Sequence, residues 1–370
     1  MTNNLGLYIH IPFCTQKCSY CNFYSFNAES NLIDSYFNTL LGEITAKGKT
    51  VTRPVSSVYI GGGTPTVAGG KRLYELLKVL NNAFDLLPNA EITVEANPGD
   101  NLESILPFLK KGGCNRLSLG VQSANQTELN LLRRRHNLTD VENAVNIARK
   151  TGINNISLDL MLGLPHSNLK TLKTSLDFLT GLNPQHISAY ILKLEQGTPL
   201  FKNQANLNMP NEDMVADQYL FMCDYLSAKG FNHYEISNFA KDGYQSRHNS
   251  SYWQLCEYIG FGPAAHSFFN GKRYYYKPNI TDYISNPTAI PDGDGGSEFE
   301  YIMLSLRMSD GINSAEFKNR YGKSFSEKFL KTAETLQKNG LVNINGQNIS
   351  LTNKGMLVSN SVINLFTEVL

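Results

Sequence analysis

Three of the six cysteines lie within eight residues of one another, in the C-x3-C-x2-C run Cys14, Cys18 and Cys21. Thiolates are soft ligands that suit iron–sulfur clusters or zinc. A structural zinc site normally has four protein ligands, whereas the residue two positions after the last cysteine is Phe23. Three thiolates on a four-iron cluster leave one iron open to an outside ligand. The run therefore favours an open [4Fe-4S] site, and a zinc site completed by a distant histidine, or three unrelated thiols, is the alternative.

A glycine loop, Gly61-Gly62-Gly63-Thr64-Pro65-Thr66, follows the second predicted strand. Consecutive glycines let the backbone approach a ligand closely, although a tight turn would need them as well. A phosphate-binding loop is excluded, because Gly69-Gly70-Lys71-Arg72 lacks the required Ser or Thr and Pro65 stands where the first glycine should be. The loop is therefore a candidate for contact with a ligand that is not held through a Walker motif.

Short β-rich runs alternate with helical patterns over the first 200 residues. Strands are predicted at 7–11, 55–60, 91–95, 116–121, 155–161 and 186–192, and helices at 32–46, 73–84, 102–111, 128–135, 141–150 and 169–179. Six strands alternating with helices predict a parallel sheet with right-handed crossovers. Glu95, Gln122 and Asp159 stand at or near the ends of strands three, four and five. The carboxyl ends of such strands carry the site, so these residues, the cysteine run and the glycine loop are expected at one rim.

The second half of the chain has a different pattern. A helix is predicted at 212–229, then a Tyr-, His- and Gly-rich stretch at 234–269, a linker at 286–296, helices at 298–308, 314–321 and 326–339, a hairpin at 341–351 turned at Asn345-Gly346, and a last helix. Helices followed by a hairpin resemble a winged-helix topology. The predicted domains are residues 1–200, a barrel extension at 201–285, and a C-terminal domain at 297–370.

Composition narrows the classes of function. The chain has 33 basic and 32 acidic side chains and a net charge of +1, so no nucleic-acid partner and no polybasic membrane anchor are expected. Its 41% hydrophobic content argues against disorder. The start, Met1 to Asn4, lacks the features of a secretory signal, and no apolar run of about 18 residues exists. A cytoplasmic protein is expected, with peripheral membrane attachment left open; Cys114, Cys223 and Cys256 are expected to be ordinary buried residues.

The cysteine run is identified as the signature of the radical S-adenosylmethionine (SAM) superfamily. The lead-in Tyr8-Ile9-His10-Ile11-Pro12-Phe13-Cys14 and the glycine loop resemble its coproporphyrinogen oxidase-like branch. This resemblance implies an α/β fold, a partial (β/α)6 barrel with a C-terminal helical, winged-helix-like domain. It also implies a [4Fe-4S] cluster on Cys14, Cys18 and Cys21. SAM contacts are implied at Tyr8, Tyr20, Cys21, Asn22, Gly62, Gly63, Thr64, Glu95, Gln122, Arg134 and Asp159. The carboxylates and Gln122 would suit the ribose, and Arg134 the methionyl carboxylate.

Two departures set this chain apart from the oxygen-independent coproporphyrinogen III oxidases of that branch. Those enzymes carry C-x3-C-x2-C-x-C and a long N-terminal extension, whereas this chain has Phe23 and only 13 residues before Cys14. Radical SAM decarboxylation in porphyrin biosynthesis is therefore the alternative function. The chain instead resembles the HemW-type haem chaperones over essentially its full length, through His248-Asn249-Ser250-Ser251-Tyr252-Trp253 and its flanks at 234–239 and 260–267.

The second resemblance implies haem as a third cofactor and delivery of haem to an acceptor protein. A membrane-associated respiratory protein is a candidate for this acceptor. Whether the protein forms a homodimer and whether it cleaves SAM are left open. His248 would ligate the iron, and Tyr252 and Trp253 would pack on the porphyrin. Chemistry alone favours a hydrogen-bonded loop histidine and a core Tyr-Trp pair instead. His266 is a second candidate ligand, and His10 is expected to be structural or close to the cluster. A pure interaction protein with a vestigial cluster is disfavoured, because the cysteines and the glycine loop are intact.

Overall fold

The computed structural model describes residues 4–370, and the first three residues lie outside the description. Its strands are β1 Leu5–Ile11, β2 Val55–Gly62, β3 Leu86–Ala96, β4 Arg116–Gln122, β5 Asn155–Leu162, β6 His186–Ile191, β7 Asn232–Glu235, β8 Asn238–Ala240, β9 Tyr258–Phe261, β10 His266–Phe269, β11 Lys272–Tyr275, β12 Ile290–Asp294, β13 Ile312–Asn313, β14 Val342–Asn345 and β15 Asn348–Leu351.

The helices are α1 Ser30–Gly48, α2 Gly70–Ala83, α3 Leu102–Lys111, α4 Gln126–Leu131, α5 Leu138–Lys150, α6 Leu169–Gly181, α7 Pro199–Lys202, α8 Glu212–Ala228, α9 Arg247–Trp253, α10 Ile280–Ser285, α11 Glu298–Ser305, α12 Ser314–Tyr321, α13 Glu327–Lys338, α14 Asn353–Leu357 and α15 Ser359–Thr367. Short 3-10 helices occur at Pro65–Ala68 and Gln204–Asn206. Within residues 4–370 no helix combines the length and the apolar character that crossing a bilayer requires.

One large open sheet organises the molecule, with strand order β12-β11-β10-β9-β1-β2-β3-β4-β5-β6-β8-β7. The first six strands pair in parallel in chain order, and β9 pairs in parallel with β1. The outer strands β10, β11, β12, β8 and β7 run antiparallel to their neighbours. Over residues 4–370 the sheet does not close. The predicted partial (β/α)6 barrel is confirmed, and both of its edges are extended.

Alternation along the strands gives the barrel an apolar outer face and a polar interior. Outward positions such as Leu7, Val94 and Leu119 are fully buried and belong to the main hydrophobic core, which includes residues of the helices. Interior positions of β1 to β6 are filled mostly by polar or aromatic side chains, among them Tyr8, Tyr59, Thr93, Glu95, Arg116, Ser118, Ser157, Asp159 and His186. Branched apolar residues dominate the interior of an ordinary (β/α)8 barrel. The polar lining here therefore makes the interior of the barrel a candidate for the functional site.

Two predictions about elements were wrong. The stretch 286–296 is not a linker, because Ile290–Asp294 pairs with β11 as the edge strand of the sheet. The helix predicted at 128–135 ends at Leu131, and Arg133 has a φ of 57°, a left-handed conformation that an α-helix excludes. The stretch 234–269 holds the end of β7, the short strands β8, β9 and β10, and helix α9. The three domain boundaries remain predictions.

The C-terminal region has a small sheet of its own, with strand order β13-β15-β14. The predicted hairpin is confirmed as β14 and β15, and Gly346 in its turn has a φ of 59°. Stacked phenylalanines form the core of this region, with ring centroids 4.2 Å apart both for Phe317 and Phe325 and for Phe325 and Phe329. Helices beside a hairpin match the winged-helix-like domain that the resemblance implies.

Candidate functional site

A cavity of about 410 Å³ opens at the carboxyl ends of the barrel strands. It brings together all but one of the residues predicted to hold the cluster and SAM, which come from the cysteine loop, the glycine loop, the strands β3, β4 and β5, and the loop after β4. Those on its wall are Cys14, Cys18, Tyr20, Cys21, Asn22, Gly62, Gly63, Thr64, Glu95, Gln122, Arg134 and Asp159. The rim expected from the sequence is therefore a single concave site.

The two ends of the cysteine loop are hydrogen-bonded to each other, and its middle is hydrogen-bonded to other parts of the chain. The Cys14 amide donates to the Phe26 carbonyl at 2.9 Å, and the Phe26 amide donates to Pro12 at 2.9 Å. Between these anchors, the amide of Ser19 donates to the carbonyl of Leu132 at 3.1 Å, and its carbonyl accepts from Leu200 at 2.8 Å. The backbone that carries the three thiols is thus held in place by contacts that need no metal.

The three thiols fit a polynuclear cluster better than a single ion. Among residues 4–370, no three His, Cys, Asp or Glu side chains converge closely enough to hold one metal ion. A four-iron cluster is several atoms wide, and thiols spread around a cavity suit it better than they suit zinc. Phe23, 65% exposed, stands on the cavity wall and offers no ligand atom. The chemistry of this donor set therefore fits a [4Fe-4S] cluster with one iron left for an outside ligand.

Arg134 places a guanidinium beside the thiols. Its Nη1 donates to Cys18 Sγ at 3.2 Å, and its Nη2 donates to the Asn97 side chain and the Gly120 carbonyl. A Cβ atom at Gly120 would lie 2.9 Å from Nη2, so this glycine leaves the room that the guanidinium occupies. The buried Nε of Arg134 has no hydrogen-bond partner in the described chain. Arg134 thus keeps a free donor, as binding of a carboxylate would require.

Asn97 is a site residue that the sequence reasoning missed. Its Nδ2 donates to Thr64 Oγ1 at 3.0 Å, and Thr64 Oγ1 lies 3.7 Å from Cys14 Sγ. Asn97 thereby links the glycine loop to Arg134. A signal existed, because Asn97 follows the end of β3 by one residue and is the second residue after Glu95.

Two of the carboxyl groups that line the cavity, Glu95 and Asp159, belong to the strands of the barrel. Glu95 accepts from the Tyr59 hydroxyl at 2.7 Å and from the Gly62 amide at 3.2 Å. Asp159 accepts from Ser118 Oγ at 3.2 Å. Desolvation raises the pKa of Glu95, against which its two donors act, and desolvation together with the charge of Glu95 raises the pKa of Asp159 to about 7. Such groups can accept hydroxyl donors or offset a cationic ligand.

Tyr8 is not among the residues that line this cavity, and its predicted contact with SAM stays a prediction. Its hydroxyl and His10 Nδ1 are 3.0 Å apart, and its ring lies 6.3 Å from that of Tyr59. His10 Nε2 is 2.9 Å from the carbonyl of Tyr24, at the far end of the cysteine loop. Tyr8 therefore supports the loop through His10, and the buried His10 has the structural position that we expected for it.

Comparison with known proteins places this chain in a family. The sequence model of the radical SAM superfamily matches residues 8–179, and that of the HemN C-terminal domain matches residues 299–358. The chain is 35% identical to the heme chaperone HemW of Bacillus subtilis, over 97% of this chain and 98% of that protein. The chain belongs to the HemW family. A HemW of Lactococcus lactis is 33% identical over 97% of this chain and 96% of that protein.

Solved structures support the fold of this HemW-family chain. Coproporphyrinogen III oxidase from Escherichia coli superimposes with a TM-score of 0.85, covering 99% of this chain and 91% of that one, at 23% identity. The similarity extends the shared architecture to the C-terminal region. At this identity it establishes the fold and leaves the activity to be argued from the site.

The predicted haem motif lies at the opposite end of the barrel. Helix α9 covers the amino ends of the strands, where His248 contacts Ser57 and Gly6. Ser57 and Gly62, which lies at the cavity, are five positions apart on β2, which is about 17 Å at about 3.3 Å per residue. Glu91 fastens the start of α9 by accepting from the amides of Arg247 and His248, both at 3.1 Å.

His248 has no free nitrogen in this conformation, in contrast to its predicted role as a haem ligand. The residue is 1% exposed, with Nδ1 2.9 Å from Ser57 Oγ and Nε2 2.7 Å from the Tyr252 hydroxyl. Burial lowers the pKa of His248 to about 3. The folded barrel therefore fits haem poorly at His248, and ligation there would require α9 to move.

The other haem candidates are more accessible. Trp253 is half-buried, lines a groove with Met308, and has the guanidinium of Arg307 5.6 Å from its ring centroid. His266 is exposed on β10, and its ring stacks on Tyr275 at 5.2 Å. The structure thus separates the residues that the haem motif and its flank bring together in sequence.

Proposed function

We propose that this protein is a haem chaperone that holds a [4Fe-4S] cluster on Cys14, Cys18 and Cys21, binds SAM at the open iron, binds haem, and delivers it to an acceptor protein. The observation that carries the cluster half is the single cavity shared by three thiols, Arg134 and the carboxyl groups of Glu95 and Asp159. The haem half rests on full-length similarity to proteins named heme chaperones.

The side chains of the cavity divide the work of holding SAM. Arg134 is fixed by Asn97 and Gly120 and has a donor to spare for the methionyl carboxylate. Glu95 and Asp159 offer acceptors to ribose hydroxyls and negative potential to a sulfonium. When bound, the cluster supplies an open iron and one-electron chemistry. The anchored cysteine loop keeps these groups in one geometry before any ligand arrives.

The runner-up is oxygen-independent coproporphyrinogen III oxidase, which shares the fold. Phe23 argues against it, because an exposed phenyl ring stands on the cavity wall where that pattern has a fourth cysteine. Given coproporphyrinogen III, SAM and a reductant, the reconstituted protein should release no protoporphyrinogen. Turnover at about 1 s⁻¹ or faster, a rate typical of enzymes, would establish the oxidase instead.

The cluster assignment is tested by anaerobic reconstitution of cysteine variants. Cys→Ser at position 14, 18 or 21 should abolish the broad visible absorption of the cluster, since each removes one of only three ligands. Cys114→Ser and Cys223→Ser are the matched controls, because both thiols are buried elsewhere in the core. Retention of a full cluster in Cys18→Ser, or its loss in Cys223→Ser, would contradict the assignment.

The haem ligand is proposed to be His248 after α9 has moved away from the amino ends of the barrel strands. His266 is the second candidate. Haem titrations of His248→Ala and His266→Ala, with cluster content measured on the same samples, separate the two. Loss of affinity and a shifted Soret band only in His266→Ala would move the ligand to β10, where no rearrangement is needed.

The acceptor is proposed to be a haem protein, with a membrane-associated respiratory protein as the candidate, and the chaperone to be cytoplasmic with peripheral attachment to the membrane. The near balance of 33 basic and 32 acidic side chains supplies little general attraction to an anionic surface. Attachment would therefore depend on the acceptor itself. Co-sedimentation with anionic vesicles that carry or lack the acceptor tests this, and binding to bare vesicles would contradict it.

A further inference from the structure

Tyr59 stands in the barrel interior between the cavity and helix α9. Its hydroxyl donates to Glu95 Oε1 at 2.7 Å. Its ring stacks on that of His248, with centroids 5.3 Å apart and planes at 26°, and lies 6.3 Å from the ring of Tyr8. Tyr59 is therefore in contact both with the wall of the cavity and with the helix that closes the other end of the barrel.

The position of the Glu95 carboxyl depends on Tyr59. Its second oxygen accepts from the Gly62 amide at 3.2 Å, a longer bond from a backbone group. A Cβ atom at Gly61 would lie 2.9 Å both from the Glu95 carboxyl and from the Tyr59 ring, so the three residues pack without spare room. Without the Tyr59 hydroxyl, one backbone donor would remain to orient this carboxyl.

The ring of Tyr59 depends in turn on α9. His248 is held by Ser57 and by Tyr252, whose ring packs edge-on against it at 4.8 Å. Because Glu91 fastens the first residues of α9, the imidazole can leave Tyr59 only if the helix moves. The contacts therefore form one path from α9 through His248 and Tyr59 to Glu95.

We propose that Tyr59 is a positioning residue that orients Glu95 toward SAM, and that His248 makes this orientation depend on helix α9. The inference rests on the proposed SAM site. A ligand or partner that displaces α9 then weakens SAM binding, and bound SAM opposes the displacement of α9 by the same factor, because coupling of two binding equilibria is reciprocal.

The test is the dissociation constant of SAM, measured on reconstituted protein of known cluster content. Tyr59→Phe keeps the stacking ring and removes one hydrogen bond to a carboxylate, and it should weaken binding about tenfold. Tyr276→Phe is the matched control, because it also removes a hydroxyl that donates to a carboxylate, that of the half-buried Glu43, away from the cavity. It should change the affinity less than twofold.

A double-mutant cycle separates positioning from general loosening of the fold. If Tyr59 acts through Glu95, then Tyr59→Phe should add little to the loss already caused by Glu95→Gln. His248→Ala should also weaken SAM binding several-fold, although it lies at the other end of the barrel. Additive losses in the cycle, or SAM affinities of Tyr59→Phe and His248→Ala equal to that of wild type, would overturn the inference alone. Failure of the wild-type protein to bind SAM would overturn the proposed function as well.

Discussion

Arg134 owes its position to a residue without a side chain. The guanidinium Nη2 occupies the space that a Cβ atom of Gly120 would need, and it is held there by the carbonyl of the same glycine. Because the atom in question is the far end of a flexible side chain, a methyl group at position 120 would move the guanidinium at little cost to the fold. A substitution at Gly120 is therefore expected to change the binding of the ligand more than the stability of the fold.

This separation predicts the behaviour of Gly120→Ala. The affinity for SAM should fall about tenfold, the loss expected for one charge-assisted hydrogen bond, while cluster content and the midpoint of urea unfolding stay within error of wild type. Gly42→Ala is the control, since the space around that helical glycine is empty. Wild-type affinity in Gly120→Ala would show that Arg134 does not touch SAM.

The roles of some site residues could be predicted from the sequence, and those of others could not. Cys14, Cys18 and Cys21 are close in the chain, and their spacing alone predicts a shared ligand. Asn97 and Tyr59 act through partners 33 and 36 residues away. Their roles follow from strand register, which pairs Tyr59 with Thr93 of β3, and a single sequence gives no direct signal for that register.

At the scale of elements, helix α9 acts as the floor of the barrel. It has only seven residues and is too short to be stable alone, so Glu91 and the buried pair His248 and Tyr252 must hold it. The motif is visible in the sequence, but its place in the fold is not, since Ser57 and His248 are 191 positions apart. The edge strand β12 was missed because its Pro and Gly residues favour a loop in the sequence. It is a strand because it pairs with the edge of β11, and this contact is not visible in the local sequence.

Because α9 closes this end of the barrel, two histidine variants should differ markedly in their free energy of unfolding. His248→Ala should reduce the free energy of unfolding by about 2–4 kcal/mol, because it leaves a cavity and two buried hydroxyls without a partner. His266→Ala, on an exposed position, should change it by about 0.5 kcal/mol or less. Urea unfolding of both variants measures this, and equal stabilities would mean that α9 does not close the barrel.

The whole molecule combines buried groups whose proton equilibria oppose one another. Burial lowers the pKa of His248 to about 3 and of His136 to about 4. As the pH falls below about 6.5, these histidines take up protons in the unfolded chain and remain neutral in the folded protein. The folded state therefore loses stability below that pH. Asp159, with its pKa raised to about 7, has the reverse effect, since the folded state keeps a proton that the unfolded state releases between about pH 7 and pH 4.

Asp159→Asn should accordingly make acidification more harmful. Between pH 7.5 and pH 5 the wild type gains stability from protonation of Asp159, which partly offsets the histidines, and the variant lacks this gain. The urea midpoint should fall further over this interval in Asp159→Asn than in wild type. Asp177→Asn is the control, because Lys173 lowers the pKa of that exposed carboxyl. Parallel pH profiles for wild type and Asp159→Asn would show that Asp159 has an ordinary pKa.

The architecture was the most predictable level. Alternating strands and helices specify a parallel sheet, and the sheet alone brings the cysteine loop, the glycine loop and Glu95 to one rim. The antiparallel extensions at both edges could not be predicted, because strands of three to five residues have too short a pattern to be distinguished from loops.

Transfer of haem is the most direct measurement of the central claim. Reconstituted protein loaded with one equivalent of haem is mixed with apomyoglobin in the presence of SAM. The Soret band is followed as haem is transferred from this protein to apomyoglobin. A chaperone should form a defined haem complex and then pass its haem to apomyoglobin at a rate that differs from the rate for free haem. If no haem complex forms, or if apomyoglobin fills at the rate of free haem, the protein does not carry haem and the account is contradicted.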